Sequence, residues 1–274
     1  MKTMRWIAYL LAGLAIGFAA SADELISIKT RPDVTQSMLL WEPYPQRPEI
    51  VIVLFTGGPG NVGLGFKDGR AEAARPYLFS RQRELFAQPL FAVAVIDTPS
   101  DRKGMSEEFR QSANHATDME YAVAELRRRF PDARLVLMGH SRGTVSAGYI
   151  SRALEGKVGA TVLFSGRYHP TPRPSDAPPE APGGSGLSEL DLATLKNPVL
   201  LVHHSKDACT ATPFAQANQL SGRIPMIKVD GVEETTSGPP CGSGTNHWFV
   251  GLEKVTVEEV IKWLTGRPWQ RELR

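Results

Sequence analysis

Five short runs of this chain are apolar almost throughout: "IVIVLF" (50–55), "FAVAVID" (91–97), "RLVLMG" (134–139), "ATVLFS" (160–165) and "PVLLVHH" (198–204). A strand with one wet face alternates apolar and polar residues, whereas a strand covered on both faces does not. Runs of this length, rich in Val, Ile and Leu, therefore read as strands of a buried, parallel sheet. Between them lie helical patterns. "HATDMEYAVAELRRRF" (115–130) and "VEEVIKWL" (257–264) repeat apolar residues every three or four positions. "LISIKT" (25–30) and "SMLLWE" (37–42) read as an opening hairpin around "RPDVTQ". The alternation predicts an α/β fold, with helices on both faces of one mostly parallel sheet.

No internal repeat or linker divides the chain, so residues 23–274 are expected to form a single domain. Residues 1–22 stand apart. A basic head with Lys2 and Arg5, the apolar stretch "WIAYLLAGLAIGFAA" and the small residues ending at Ala22 have the layout of a cleaved secretory signal. The apolar run is short for a bilayer span, so no stable membrane insertion is expected once the leader is removed. The stretch "YHPTPRPSDAPPEAPGGSGLS" (168–188) is too rich in Pro and Gly for a regular element and reads as a surface loop. It leaves no room for a large helical lid.

The chain holds 31 basic and 29 acidic residues. Two of the basic ones lie in the leader, so the remainder is balanced and gives no electrostatic basis for binding nucleic acid. The two cysteines, Cys209 and Cys241, fit one disulfide in an oxidising, exported compartment, periplasmic or extracellular. Their spacing does not suit zinc. The His203–His204 pair lacks a matching cluster of ligands.

"GHSRG" (139–143) joins the run "RLVLMG" to the helix-like stretch "TVSAGYISRAL". The pattern G-x-S-x-G alone arises by composition in roughly one chain in ten of this length, so the context has to carry the reading. Between a buried strand and a small-residue helix it is a nucleophile elbow, which leaves Ser141 on the tip of a strained turn. A serine hydroxyl needs a base, and the base needs an orienting carboxylate. Asp207 follows an apolar strand, and His247 sits in a Gly-rich loop before the last helix, in the chain order expected for this elbow. Asp97 and Asp230 are reserve acids. For the oxyanion, the backbone N–H of Arg142 follows the nucleophile. A second N–H is expected from "FTGGPGN" (55–61), with Gly58 preferred and Gly57 next, because Pro59 has none.

On "FTGGPG", "VIDTPSDRKGMS", "GHSRG", "HHSKDACTATP" and "TNHWF", in that order, the chain resembles the α/β-hydrolase family from about Leu25 to Leu264. The resemblance implies an eight-stranded, mostly parallel sheet and a Ser141–His247–Asp207 triad. "FTGGPG" looks like the His-Gly-Gly-Pro-Gly loop of prolyl aminopeptidases, with Thr56 in place of the histidine and without their helical cap. The expected function is an exported serine hydrolase acting on a small carboxylic ester, with no metal or organic cofactor. The alternatives are an aminopeptidase or amidase on the same triad, and a non-enzymatic binding protein. Arg142 and Arg167 are expected near the carboxyl edge of the sheet, in an open cleft that would favour an anionic substrate.

Overall fold

The computed structural model describes residues 23–42, 47–80, 83–86, 90–172, 183–231 and 238–274. Residues 1–22, expected to be a leader, and 173–182 in the Pro-rich stretch lie outside the described residues. Among the described residues, no helix is long and apolar enough to cross a membrane.

One large sheet organises the chain. β1 (Glu24–Arg31) and β2 (Val34–Trp41) form the opening hairpin. Both strands run further into "RPDVTQ" than the sequence suggests, and the turn is closed by Asp33 at φ 55°. β3 (Ile50–Phe55), β6 (Phe91–Ile96), β7 (Arg134–His140), β8 (Ala160–Phe164) and β9 (Val199–His204) are the five apolar runs. Two further strands, β10 (Met226–Val229) and β11 (Glu272–Leu273), extend the edge. The order is β1-β2-β6-β3-β7-β8-β9-β10-β11, nine strands where eight were expected. Every neighbouring pair from β6 to β11 is parallel, and β2 runs against both of its neighbours.

Alternation along each strand divides the core in two. Val51, Val53 and Phe55 of β3, with Leu135 and Leu137 of β7, face α2 (Ala113–Arg129) and α3 (Gly143–Ala153). Met119, Ala122, Leu126, Ala147 and Ile150 come from those helices. Ile52, Leu54, Val136 and Met138 face the other way, against Val257, Val260, Ile261 and Leu264 of α5 (Glu253–Leu264). Each such side chain, once fully buried, contributes about 1.5–3 kcal/mol. α2 is capped by Ser112, whose hydroxyl accepts the His115 N–H, and carries Arg127, Arg128 and Arg129 in its last turn, where they complement the helix dipole.

The crossover from β3 to β6 departs from the expected strand–helix alternation. Its described residues hold a two-stranded ribbon, β4 (Leu64–Lys67) and β5 (Arg70–Ala73), and one 3-10 turn, Arg83–Phe86. Asp97, just past β6, holds the start of this crossover. Its carboxylate accepts the N–H groups of Val62 at 2.9 Å and Leu64 at 2.8 Å. The strand order reverses at β3, with β6 on one side and β7 on the other. In open α/β sheets the crevice outside the carboxyl ends at such a switch point is where ligands bind.

Candidate active site

β7 ends at His140 and α3 begins at Gly143, so the chain turns sharply through Ser141 and Arg142. Ser141 has φ 53°, a left-handed conformation that costs a residue with a Cβ about 1–3 kcal/mol. Neighbouring bonds over-determine it. Its N–H donates to the Phe164 carbonyl at 3.0 Å, and its own carbonyl accepts the Thr144 N–H at 3.0 Å and the Thr144 hydroxyl at 2.6 Å. The glycines are required by proximity. A Cβ on Gly143 would lie 2.2 Å from the Phe55 carbonyl oxygen, and one on Gly139 would lie 2.6 Å from the Gly143 carbonyl oxygen. A Cβ on Gly57 would come within 2.9 Å of the Ser141 Cβ, so the loop after β3 borders the serine directly. Behind Ser141 stands the N-terminus of α3, whose free N–H groups favour developing negative charge.

Asp207 lies between β9 and α4 (Phe214–Leu220), and His247 occupies the 3-10 turn Asn246–Trp248, capped by the Thr245 hydroxyl. The structure brings the two together, with His247 Nδ1 2.8 Å from Asp207 Oδ2 and both side chains buried. Asp207 Oδ1 accepts the Cys209 N–H at 2.9 Å. The backbone of His247 is held from the strand ends. Its carbonyl accepts the Ser165 hydroxyl at 3.0 Å and His140 Nε2 at 3.0 Å. Burial lowers the pKa of His140 to about 3, so the ring is neutral and Nε2 carries its proton. His140 and His247 pack ring to ring, 4.8 Å between centroids, which sets the histidine turn beside the elbow.

A second imidazole shares the acid. His203 Nε2 lies 3.2 Å from Asp207 Oδ2 and 3.0 Å from the Thr212 carbonyl. Both neighbours are acceptors, so this nitrogen carries the proton. Burial alone would raise the pKa of Asp207, but the hydrogen bonds from His203 and His247 outweigh it and hold the carboxylate well below its usual range. His203 has no role in the triad read from the sequence. Its signal was the four-residue spacing to Asp207. The reserve acids are occupied elsewhere: Asp97 caps the crossover, and Asp230 accepts the Ser205 hydroxyl at 2.6 Å and pairs with Lys228.

Gly58 is exposed at the front of its loop, at φ 55°. Arg142 and Arg167 do not line an open cleft. Both are buried around Glu107, on the single-turn helix α1 (Glu107–Arg110); Arg167 Nε pairs closely with its carboxylate and Arg142 Nε lies at 3.7 Å. Glu107 also accepts the Gly186 N–H at 2.8 Å, though burial still pushes its carboxyl pKa up. The expectation of two arginines presented to an anionic substrate is corrected accordingly. Among the described residues, no group of three or more His, Cys, Asp or Glu could hold a metal ion.

Cys209 and Cys241 are joined in a disulfide across a sequence separation of 32. It ties the acid loop to the segment leading into the histidine turn. The Trp248 indole N–H donates to the Cys241 carbonyl at 3.2 Å, and the Thr245 hydroxyl to the Gly242 carbonyl at 2.8 Å.

The chain has the α/β-hydrolase fold. Est1E from Butyrivibrio proteoclasticus superposes with a TM-score of 0.59 at 12% identity, covering 88% of this chain and 98% of that one. An α/β serine hydrolase homologue from Coxiella burnetii gives 0.56 at 12% identity, covering 89% and 98%. An α/β serine hydrolase without a lid from Xanthomonas campestris gives 0.53 at 10% identity, covering 90% and 97%. No family model matches the sequence, and no curated protein matches it.

Three outcomes are expected from this geometry. Gly143→Ala drives a Cβ into a strand carbonyl that cannot move aside, so it should cost about 3 kcal/mol or more, read as a fall in Tm of about 10 °C. Reduction of Cys209–Cys241 frees the loop it closes and should cost about 3–4 kcal/mol, measured by denaturant unfolding with and without reductant. The third concerns pH. The folded-state pKa of Asp207 is depressed, so its contribution is complete above the ordinary carboxylate value of about 4 and is lost as pH falls below it. The stability advantage of the parent protein over Asp207→Asn should therefore shrink below about pH 4, followed by thermal melts across an acid series.

Proposed function

We propose that this chain is an exported serine hydrolase that cleaves a small carboxylic ester through an acyl-enzyme. The observation that carries the reading is the 2.8 Å bond between His247 Nδ1 and Asp207, with the His247 ring 4.8 Å from that of His140, the residue before Ser141, which a strand-to-helix turn holds at φ 53°. Asp207 accepts a hydrogen bond from Nδ1–H, which fixes the tautomer and leaves the Nε2 lone pair to act as base. Ser141 attacks the substrate carbonyl as His247 takes the hydroxyl proton. The N–H groups of Gly58 and Arg142 receive the oxyanion. His247, now charged and stabilised by Asp207, protonates the departing alcohol. Water activated by the same imidazole then attacks the acyl-enzyme, the proton returns through His247, and the acid is released with Ser141 restored. Every step is supplied by side chains and backbone of this chain.

Ester rather than amide cleavage is supported by the site's surroundings and by its structural neighbours. Thr56 replaces the histidine of the prolyl aminopeptidase loop. The carboxylates of Glu107 and Asp207 are taken up by arginine and histidine rather than left to hold a free amine. A dienelactone hydrolase from Anabaena variabilis shares the fold, with a TM-score of 0.52. The disulfide and the leader-like residues 1–22 support export to an oxidising compartment.

The test is fluorophosphonate labelling together with a p-nitrophenyl ester chain-length panel. Ser141→Ala should lose both labelling and turnover while keeping its melting transition. Asp207→Asn should lower kcat by on the order of 10⁴, with labelling slowed but not abolished. Labelling that survives Ser141→Ala would move the nucleophile elsewhere. A parent protein that neither labels nor turns over any ester would favour a binding role for the fold.

A further inference from the structure

We propose that Arg110 is the positioning residue of the oxyanion site: one buried guanidinium sets the loop that presents the Gly58 N–H and ties it to the helix behind Ser141. This rests on the hydrolase reading for its catalytic consequence, but the anchoring itself does not.

The argument begins with the carbonyls of the loop after β3. Four in succession have partners. The Thr56 and Gly58 carbonyls each accept from Arg110 Nη2 at 3.3 Å. The Gly57 carbonyl accepts the Gly60 N–H at 3.0 Å, and the Pro59 carbonyl accepts the Met105 N–H at 2.8 Å. In a trans peptide the N–H points opposite to the carbonyl of the same plane. The Gly58 N–H shares its plane with the Gly57 carbonyl, which is turned inward to close the tight turn. It is therefore aimed outward, and Gly58 itself is exposed. Arg110 holds the peptide planes on both sides of that unit. Released from the guanidinium, those planes are free to rotate, and the direction of the N–H between them is left to the single Gly57–Gly60 turn bond.

The same side chain reaches the elbow. Arg110 Nη1 donates to the Ser146 hydroxyl at 2.8 Å, on α3 and five residues beyond Ser141. His115 Nε2 lies 3.0 Å from that hydroxyl. One rigid planar fork thus spans the donor loop and the nucleophile's helix. It fixes the spacing between the loop N–H at Gly58 and the elbow N–H at Arg142, the quantity an oxyanion site depends on.

Space and charge leave little room for a substitute. Arg110 is fully buried, and its Nη2 lies 2.6 Å from where a Cβ on Gly60 would be. Among the described residues its hydrogen-bond partners are a hydroxyl and two carbonyls, with no carboxylate. Burying a guanidinium without a bonded counter-charge is costly, and a methionine of similar length would fill the volume without that cost. Only the planar fork serves both carbonyls and the hydroxyl at once. Lysine keeps the charge and loses the fork.

The experiment compares Arg110→Met, Arg110→Lys and Ser146→Ala with the parent protein, by ester kinetics and by hydrogen–deuterium exchange of the peptide covering residues 55–61. Ser146→Ala removes one anchor with little change in volume and guards against failure of the Arg110 variants to fold. Arg110→Met should lower kcat on the order of 10²-fold with KM changed less than about threefold, and weaken a boronic acid transition-state analogue in parallel. Ser146→Ala should lower kcat on the order of tenfold, in the same pattern. Arg110→Lys should fall close to Met, because position rather than charge is lost. Exchange across residues 55–61 should quicken in all three. Unchanged exchange there overturns the proposal, whatever the activity. Quickened exchange with unchanged kcat and boronate affinity also overturns it, leaving Arg110 a structural staple. A parent protein without hydrolytic activity whose loop still loosens in the variants would sink the hydrolase reading alone and keep the anchor.

Discussion

The backbone crossing at Gly143 is the constraint on which the rest of this structure turns. The first residue of α3 passes so close to the end of β3 that no side chain fits between them. Because the approach is that close, the helix can follow β7 within two residues, and Ser141 must adopt a left-handed conformation to make the turn. The loop after β3 is brought against the serine at Gly57 by the same crowding. Ser141 and the loop after β3 become neighbours because two main chains touch, before any side chain takes part.

Charge is handled in the same region by sharing. Asp207 is buried between two imidazoles, and Glu107 is buried between two arginines. Isolated carboxylates in such places would be driven toward protonation. Asp207 is kept ionised by donors from both sides, whereas burial prevails over the arginines at Glu107 and its pKa stays raised. The two acids thus sit on opposite sides of their ordinary behaviour, although both lie near the carboxyl edge of one sheet. The difference follows from geometry. Two N–H groups bond Asp207 Oδ2 within 3.2 Å, while one of the two guanidinium nitrogens facing Glu107 stands back at 3.7 Å.

Long, uniform signals were legible from the residues, and short or buried polar ones were not. The five apolar runs became β3, β6, β7, β8 and β9 with boundaries shifted by a residue or so. β10 is the four-residue "MIKV" and β11 is two residues long, too brief to carry a pattern, so neither is legible from the residues. The β4–β5 ribbon was missed because "LGFKDGRAEA" has little of the β-branched content that marks a strand. Around the site, Ser141, Asp207 and His247 announce themselves by spacing and by the strands that precede them. The charged stretch "EEFR" carries no pattern that marks burial, yet Glu107 and Arg110 in it are wholly buried. No periodicity distinguishes a charge that faces water from one that faces a folded loop. That distinction arises only when α1 is packed beneath β3 and α3.

The way His247 is held has a consequence for how this chain tolerates change. Its carbonyl is bonded by His140 and Ser165, at the ends of two sheet strands, and its imidazole by Asp207. The disulfide and the Thr245 cap add a second mooring at Cys241 and Gly242. At the start of the connection that follows Val229, Asp230 is held from the far edge of the sheet, its N–H donating to the Leu273 carbonyl at 2.7 Å. Residues inserted there would lengthen a tether whose far end is already fixed, at a closure cost of about 0.6 kcal/mol for each doubling of its length. New surface can be added within this connection while the imidazole stays in register with its acid.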